Sequence, residues 1–197
     1  MERWKHLCNR LGLPPDEAQF QALWDAYHES GRHYHDWSHI EACLQLLNQI
    51  PEPLPERNIL ELALWFHDAV YDPRRGDNEA RSNDRAQRFL AGHAALASRV
   101  ESLILVTLHH GGHLTGSEAW MVDIDLAVLG AASDEYDVYE AAIRREYAWV
   151  PWFRYRSKRK AILRSFNERN PLYQQPYFQR LREEQAHANL ARAIARL

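Results

Sequence analysis

The sequence predicts an all-α fold, on three observations. Apolar residues recur every three or four positions along almost the whole chain, which is the spacing of one helix face. No alternating segment is long enough for a useful strand, and there is no internal repeat or low-complexity segment. The 197 residues are 46% hydrophobic, enough for a sizeable core. We predict a single compact multi-helix domain over residues 1–197, or such a domain with a helical appendage, with its motif-bearing core at about 32–170.

The first helical patterns have recognisable start and stop signals. One follows Pro14, Pro15 and Asp16, and its apolar positions obey the i, i+3, i+4, i+7 rule: Phe20, Leu23, Trp24 and Tyr27. Ser38 is placed to cap a second helix that ends before Pro51. The residues that this helix should turn inward are Ile40, Cys43, Leu44 and Leu47. A strongly apolar helix is then predicted over residues 56–70.

The rest of the chain continues the same pattern after a polar, turn-rich loop at residues 72–77. Helices are expected over residues 78–91, 95–109, 117–129, 133–149 and 151–168. Ser133 is the predicted cap of the fourth of these. Pro176 suits the first position of a last helix, which covers residues 176–197.

Composition narrows the possible partners. A net charge of -3 with 26% charged residues argues against a nucleic-acid coat or a polybasic membrane anchor, although a local basic patch remains open. The chain has two cysteines, Cys8 and Cys43, and they lack CxxC spacing. So few thiols in a chain of this length favour a reducing compartment, in which each cysteine is an inert apolar residue. The first residues lack the apolar core of a signal peptide, and no apolar run approaches the roughly 20 residues of a membrane span. We therefore expect a cytoplasmic protein with no membrane or nucleic-acid partner; a homo-oligomer remains open.

Histidine, the commonest metal ligand, is clustered in this chain. Of eleven histidines, one group is His33, His35 and His39, and another is His109, His110 and His113. A helix start near Ser38 would let His35 and His39 approach one cavity from different directions. Either residue alone is more often an exposed or hydrogen-bonded core histidine.

Carboxylates stand within two apolar segments. His67 and Asp68 interrupt the predicted helix over residues 56–70, where a buried carboxylate is costly unless a cation or strong donors compensate it. A cap or an arginine pair would be the alternative explanation. Asp123 and Asp125 are two positions apart and so point to different faces of a helix. We expect only one of them to face the cavity.

Two histidines and two aspartates form a mixed nitrogen and oxygen ligand set. Such a set suits a divalent ion: Mn, Fe, Co, Ni, Zn or Mg. Four protein ligands on an octahedral ion leave two positions for water and substrate, an arrangement typical of metal-assisted hydrolysis. Binding of two ions is an alternative to binding of one.

The order of these residues resembles a known family. His39, the pair His67-Asp68, and Asp125 match the H…HD…D signature of the HD superfamily of metal-dependent phosphohydrolases. The segment from Tyr34 to His39 is similar to the HNxxH motif of the cyclic-nucleotide phosphodiesterases in that superfamily. Over residues 32–170 the resemblance is to an uncharacterised bacterial branch, and it is carried by RHYHDWSHIEACL, LALWFHDAVYDP, DNEARS and DIDLAVLG. The doublet alone is a weak signal, whereas the ordered set is specific.

The resemblance implies roles for particular residues. The implied metal ligands are His39, His67, Asp68 and Asp125. His35 would protonate the leaving oxygen, since imidazole changes charge near neutral pH. The chain has Asp36 where the phosphodiesterases have asparagine, and a carboxylate there could raise the pKa of His35 or orient its ring. Asp68 and His35 are thus the candidate catalytic residues.

Several other residues are secondary candidates. His109 and His110 could bind a second metal or substrate phosphate, or could simply favour a helix C-terminus as cations. The resemblance places Glu79 near the attacking water, and Arg81 could clamp a phosphate; a solvated helical turn is the alternative for both. Arg156 and Lys158 belong to the basic run over residues 154–160. They are candidate phosphate contacts, although a solvated helix is the favoured reading of that run.

The favoured function is hydrolysis of a phosphate ester in a small molecule, a nucleotide or a related phosphorylated metabolite. Two alternatives stay open. One is an HD-fold di-iron oxygenase, which the surplus histidines could support. The other is a non-catalytic nucleotide-binding module, against which the complete ligand set argues.

Overall fold

The protein is all-α, as the sequence predicts. The computed structural model describes residues 1–51, 53–108 and 114–197. Its helices are α1 (Glu2–Leu11), α2 (Glu17–Tyr27), α3 (Trp37–Gln49), α4 (Arg57–Phe66), α5 (Asn78–Phe89), α6 (Ala94–Leu105), α7 (Gly116–Asp125), α8 (Ser133–Glu146), α9 (Trp152–Asn167) and α10 (Pro176–Arg196). Short 3-10 helices cover Val106–Leu108 and Leu126–Gly130. Within these ranges there is no strand, and every helix is too short or too polar to span a bilayer.

The chain forms two compact units, Met1–Val122 and Asp123–Leu197. The division falls inside α7, so the last residues of this continuous helix are grouped with the second unit. A single domain over residues 1–197 stays a prediction.

The core of the first unit is built around α4. This helix contacts α1, α3, α5 and α6, and residues 60–66 are all buried. A helix that is buried on all sides is expected at the centre of its unit. Its one buried charge, Glu61, is paired with Arg3 at 2.7 Å and with Arg10 at 3.0 Å. The central position of α4 matters for the site, because its C-terminal end carries His67 and Asp68 into the interior.

The second unit is organised by α10, which packs on α8, α9 and the 3-10 helix over residues 126–130. Gly130 allows the closest approach in this unit. A Cβ atom added there would lie 2.6 Å from the Cβ of Arg182, so only glycine fits without a shift. The Tyr173 hydroxyl donates to the Leu126 carbonyl oxygen at 3.2 Å and fixes the same 3-10 helix to the loop before α10.

Two predicted helix starts are confirmed and two predicted caps are wrong. Asp16 caps α2 by accepting the Gln19 N–H at 2.9 Å, and Pro176 is the first residue of α10. The N-cap of α3 is Asp36 rather than Ser38, because the Asp36 carboxylate accepts the Ser38 N–H at 2.8 Å. Ser133 is the first residue of α8 rather than its cap.

Several helices end earlier than predicted, and one was not predicted. The helix predicted over residues 56–70 ends at Phe66, so His67 and Asp68 follow α4 instead of interrupting it. The helices predicted to residues 109, 129 and 149 end at residues 105, 125 and 146. The unpredicted helix α1 buries Trp4, Leu7 and Cys8. Cys8 and Cys43 are both buried and neither is in a disulfide.

Candidate metal centre

His67 is held at the end of α4 by hydrogen bonds to its own helix. Its backbone N–H donates to the Ala63 carbonyl oxygen at 2.9 Å, and its ring Nδ1 lies 3.0 Å from the Leu64 carbonyl oxygen. A carbonyl oxygen can only accept, so Nδ1 carries a proton and donates to it, and Nε2 is the nitrogen that faces the cluster. This arrangement is typical of a metal-binding histidine, whose second nitrogen is oriented by a backbone carbonyl.

His39 approaches the same point from the first turn of α3. Its Nε2 lies 3.2 Å from the Nε2 of His67, and both rings are buried. Cys43, one turn along α3, has its Sγ at 3.9 and 3.8 Å from the two ring nitrogens of His39. Nearly equal distances to both nitrogens place the thiol beside the ring, not along either lone pair. Cys43 therefore packs against the ligand instead of extending the ligand set.

Asp68 adds a carboxylate oxygen to the two imidazoles. Its Oδ2 lies 3.2 Å from the Nε2 of His67 and 3.6 Å from the Nε2 of His39, with 14% of the side chain exposed. Burial alone would raise the pKa of Asp68. The neighbouring imidazoles of His67, His35 and His39 outweigh that effect and hold its pKa well below the ordinary value. The carboxylate is therefore ionised at neutral pH.

Asp125 is the last residue of α7, a helix that runs unbroken from Gly116. His39, His67 and Asp125 could hold a metal ion. Asp123 points elsewhere: its carboxylate accepts backbone N–H groups from Gln174 and Gln175.

The spacing of the donor atoms fits a divalent ion. At metal–ligand distances of about 2.1 Å, neighbouring ligands are about 3.0 Å apart in an octahedron and about 3.4 Å apart in a tetrahedron. The distances among His39, His67 and Asp68 run from 3.2 to 3.6 Å. Two imidazole nitrogens with carboxylate oxygens suit Mn, Fe, Co, Ni or Zn better than a purely hard ion.

Arg32 ties together the two segments that carry the site. Its buried guanidinium donates to the carbonyl oxygens of His35 at 3.0 Å, Asp68 at 2.7 Å and Ala69 at 3.3 Å. Glu29 balances its charge at 3.1 Å. One side chain thus fixes the backbone of His35 relative to that of Asp68, although the two residues are far apart in sequence.

His35 lies beside the cluster. Its ring stacks on Tyr71, with centroids 4.1 Å apart and planes 20° apart, and its centroid is 6.1 Å from that of His39. The Arg32 guanidinium is 5.8 Å from the centre of the Tyr71 ring. The stacking on Tyr71 and the hydrogen bond from Arg32 to the His35 carbonyl oxygen together restrict the orientations that the His35 imidazole can adopt.

The secondary candidates are dispersed. Glu79 is half-buried in the first turn of α5, and Arg81 is exposed on the same helix. Arg156 donates to the carbonyl oxygen of Leu197, and Lys158 is exposed on α9. The predictions for His109 and His110 lie outside the described residues.

The sequence patterns missed Arg32, Tyr71 and Ser82. Ser82 accepts the Val70 N–H at 3.0 Å and so anchors the segment after Asp68 to α5. The one available signal was the position of Arg32 inside the histidine cluster, because an arginine next to metal ligands commonly needs carbonyl or carboxylate partners. Tyr71 and Ser82 have no comparable signal.

Comparison with protein-family models, with curated proteins and with solved structures finds no match for this chain. Any assignment of function consequently depends on the motif residues and on the geometry of the site.

Proposed function

We propose that this chain is a metal-dependent phosphohydrolase of the HD superfamily, acting on a phosphate ester in a small molecule such as a nucleotide or a related phosphorylated metabolite. The observation that carries the proposal is the convergence of His39 Nε2, His67 Nε2 and Asp68 Oδ2 within 3.6 Å of one another. The order of these residues along the chain is that of the family signature, and Asp125 supplies its last member.

In this proposal His39, His67, Asp68 and Asp125 hold one divalent ion. When bound, such an ion lowers the pKa of a coordinated water and neutralises charge on a phosphoryl oxygen. Two of the donors, His67 and Asp68, are already set for metal binding by neighbouring groups of the chain. The Leu64 carbonyl keeps the proton on the far nitrogen of His67, and the imidazoles keep Asp68 ionised.

His35 is the proposed general acid. It is close enough to Asp68 to lower the pKa of that carboxyl, and its ring is oriented by Tyr71. A restrained imidazole beside the cluster can donate a proton to the departing oxygen of the ester. Asp36 has a separate role, since its Oδ1 accepts both the N–H and the hydroxyl of Ser38 at the start of α3.

The test is a phosphate-release screen over nucleotides and sugar phosphates, after chelation and reloading with Mn, Co, Ni, Zn or Mg. We expect turnover with at least one ion and none in the chelated protein. Asp68→Ala should lose both bound metal and turnover. Asp84→Ala is the matched control, because Asp84 is an exposed carboxylate on α5.

Two outcomes would contradict the proposal. Full turnover and metal content in Asp68→Ala would mean that the chemistry lies elsewhere. Protein purified without air that contained two irons per chain and consumed dioxygen would instead indicate an oxygenase.

A further inference from the structure

Three large aromatic side chains are exposed within residues 149–153, from the turn after α8 into the first two residues of α9. Trp149 is 50% exposed, Trp152 53% and Phe153 69%. We call these three residues the aromatic corner. A cluster of exposed rings is unusual on a protein surface and is typical of an interaction site, since each ring would gain from leaving water.

The aromatic corner is held firmly in its exposed position. Arg144 on α8 donates to the carbonyl oxygens of Tyr147 at 2.6 Å and Val150 at 3.3 Å, on either side of Trp149. The same guanidinium lies 5.7 Å from the centre of the Trp152 ring and 4.6 Å from that of Tyr155. The backbone of the turn and the base of Trp152 are thus fixed, so a partner would meet a preformed surface.

The helix that follows is strongly basic, although the whole chain has a net charge of -3. Helix α9 contains no acidic residue and six cations: Arg154, Arg156, Lys158, Arg159, Lys160 and Arg164. Among the described residues, Arg159 is paired with Glu140 at 2.7 Å and Arg156 donates to the Leu197 carbonyl oxygen, whereas the other four cations have no carboxylate partner. Like charges four residues apart, as in Arg154 and Lys158, destabilise a helix slightly. The expected partner of this surface is therefore an anion.

The placement of the rings distinguishes between two kinds of polyanion. A single-stranded nucleic acid is usually bound by exposed rings interleaved with cations, so that bases stack along the track. The ring interleaved with the first cations of α9, Tyr155, is buried. The exposed rings are instead grouped at one end of the helix, which is the arrangement of an apolar tip that enters a membrane interface beside cations that meet lipid headgroups.

The distances along α9 agree with this arrangement. At a rise of about 1.5 Å per residue, Lys158 is about 9 Å along the axis from Trp152. Arg154 and Arg156 are nearer still. Measured along the axis, these three cations lie within about one Debye length of Trp152, so they can act on anionic headgroups while the rings are inserted.

We propose that the aromatic corner and the first two turns of α9 dock this protein onto the surface of an anionic phospholipid bilayer. The docking is peripheral, since no described helix could span the bilayer, and it departs from the expectation of no membrane partner that the net charge gave. It does not depend on the metal centre, because none of the residues involved is a proposed metal ligand.

The experiment is co-sedimentation of the full chain with vesicles of phosphatidylcholine alone, or of phosphatidylcholine with roughly 30% phosphatidylserine. We expect binding to the anionic vesicles, loss of that binding in high salt, and a blue shift of tryptophan emission on binding. Arg154→Ala with Lys158→Ala should weaken binding about 25-fold, from about fivefold per cation. Trp152→Ser with Phe153→Ser should weaken it by more than about tenfold.

Two control variants change matched side chains elsewhere. Leu181→Ser removes an exposed apolar side chain on α10, and Arg88→Ala removes an exposed cation on α5. Both should bind anionic vesicles as the unaltered chain does. Circular dichroism should show that all variants are folded, because every substituted side chain is at the surface.

Several results would overturn the proposal. These are absence of binding to anionic vesicles, equal binding to neutral vesicles, or normal binding by both double variants. A single-stranded oligonucleotide that bound more tightly, and whose binding the same variants abolished, would assign the surface to nucleic acid. A dimer in sedimentation equilibrium that Trp152→Ser dissociated would assign it to a second copy of the chain.

Discussion

Asp68 and Asp123 follow similar apolar sequences but have opposite surroundings. Asp123 is fully buried, and its carboxylate accepts the N–H groups of Gln174 at 2.9 Å and Gln175 at 2.6 Å. Burial raises the pKa of Asp123 to about 7 despite these donors. Asp68 faces two imidazoles, which lower its pKa. The Asp123 carboxylate fixes the loop before α10, and the Asp68 carboxylate stays ionised beside the ring nitrogens of His39 and His67.

The backbone around each aspartate explains the difference. At Asp123 the carboxylate itself fixes a neighbouring segment of backbone. At Asp68 that task belongs to Arg32, which holds the carbonyl oxygens of Asp68 and Ala69. The Asp68 carboxylate is thereby left facing His39 and His67. Because Arg32 fixes the backbone around Asp68, the Asp68 carboxylate is available for another role. Asp68 is therefore a better candidate for a functional acid than Asp123.

The same substitution at the two positions should give opposite results, and the larger effect is at Asp68. In Asp68→Asn we expect turnover to fall by about a thousandfold, because loss of a charged ligand removes several kcal/mol of stabilisation by the ion. Metal content, measured by mass spectrometry of the purified protein, should fall with it. The free energy of unfolding of the metal-free protein should change by less than about 1 kcal/mol. A large loss of stability with metal retained would make Asp68 a structural acid.

The parts of the site that sequence predicts are those whose residue type already carries the chemistry. His39, His67 and Asp68 stand out because imidazole and carboxylate groups are costly in apolar segments without a partner. Arg32 does not stand out, since its importance arises from carbonyl oxygens that are distant along the chain. Ser82 was missed for the same reason.

The same limit applies to the fold. The starts of α2 and α10 were predicted because Asp16 and Pro176 act on their own helices. The end of α4 was not, because one of its last carbonyls is satisfied from elsewhere in the fold. The Trp65 carbonyl oxygen accepts the Tyr27 hydroxyl at 3.0 Å. Trp152 and Phe153 show a related limit, because their hydrophobic character does not reveal that both rings are exposed.

Arg32 gives the second prediction. Arg32→Met should weaken metal binding by about 10- to 100-fold, as loss of a residue that orients ligands does. It should also lower the free energy of unfolding by about 3 kcal/mol, because three carbonyl oxygens lose a charged donor. Metal titration and urea unfolding measure the two effects.

Two matched variants sharpen that prediction. Arg32→Lys keeps the charge but not the planar fork, so it should recover only part of the metal affinity. Arg85→Met removes a single longer hydrogen bond to the Ala69 carbonyl oxygen, 3.3 Å, and should have a much smaller effect. If Arg32→Met left metal affinity unchanged while lowering stability, the role of Arg32 would be structural only.

At Asp123 the expected loss is one of stability. Asp123→Ala should lower the free energy of unfolding by about 2 to 4 kcal/mol, since two backbone N–H groups lose their acceptor. Asp123→Asn keeps one acceptor oxygen and should lose less. Urea unfolding gives the stability, and the metal content of the folded variants should match that of the unaltered chain. Loss of metal at normal stability would contradict the structural role.

The smallest effect belongs to a third kind of carboxylate, one paired with arginine near the surface. Arg99 donates to both oxygens of Glu56, at 2.9 and 2.6 Å, and this hydrogen bonding lowers the pKa of Glu56. A lowered pKa in the folded state contributes stability above the unfolded pKa, and that contribution disappears as the pH falls through the folded value. Glu56→Gln should therefore cost at most about 1 kcal/mol at neutral pH, because both side chains are partly exposed and screened. The difference from the unaltered chain in urea unfolding should shrink towards zero as the pH falls through the folded value, and also in high salt. A difference that persisted under both conditions would mean that Glu56 acts through packing, not through its charge.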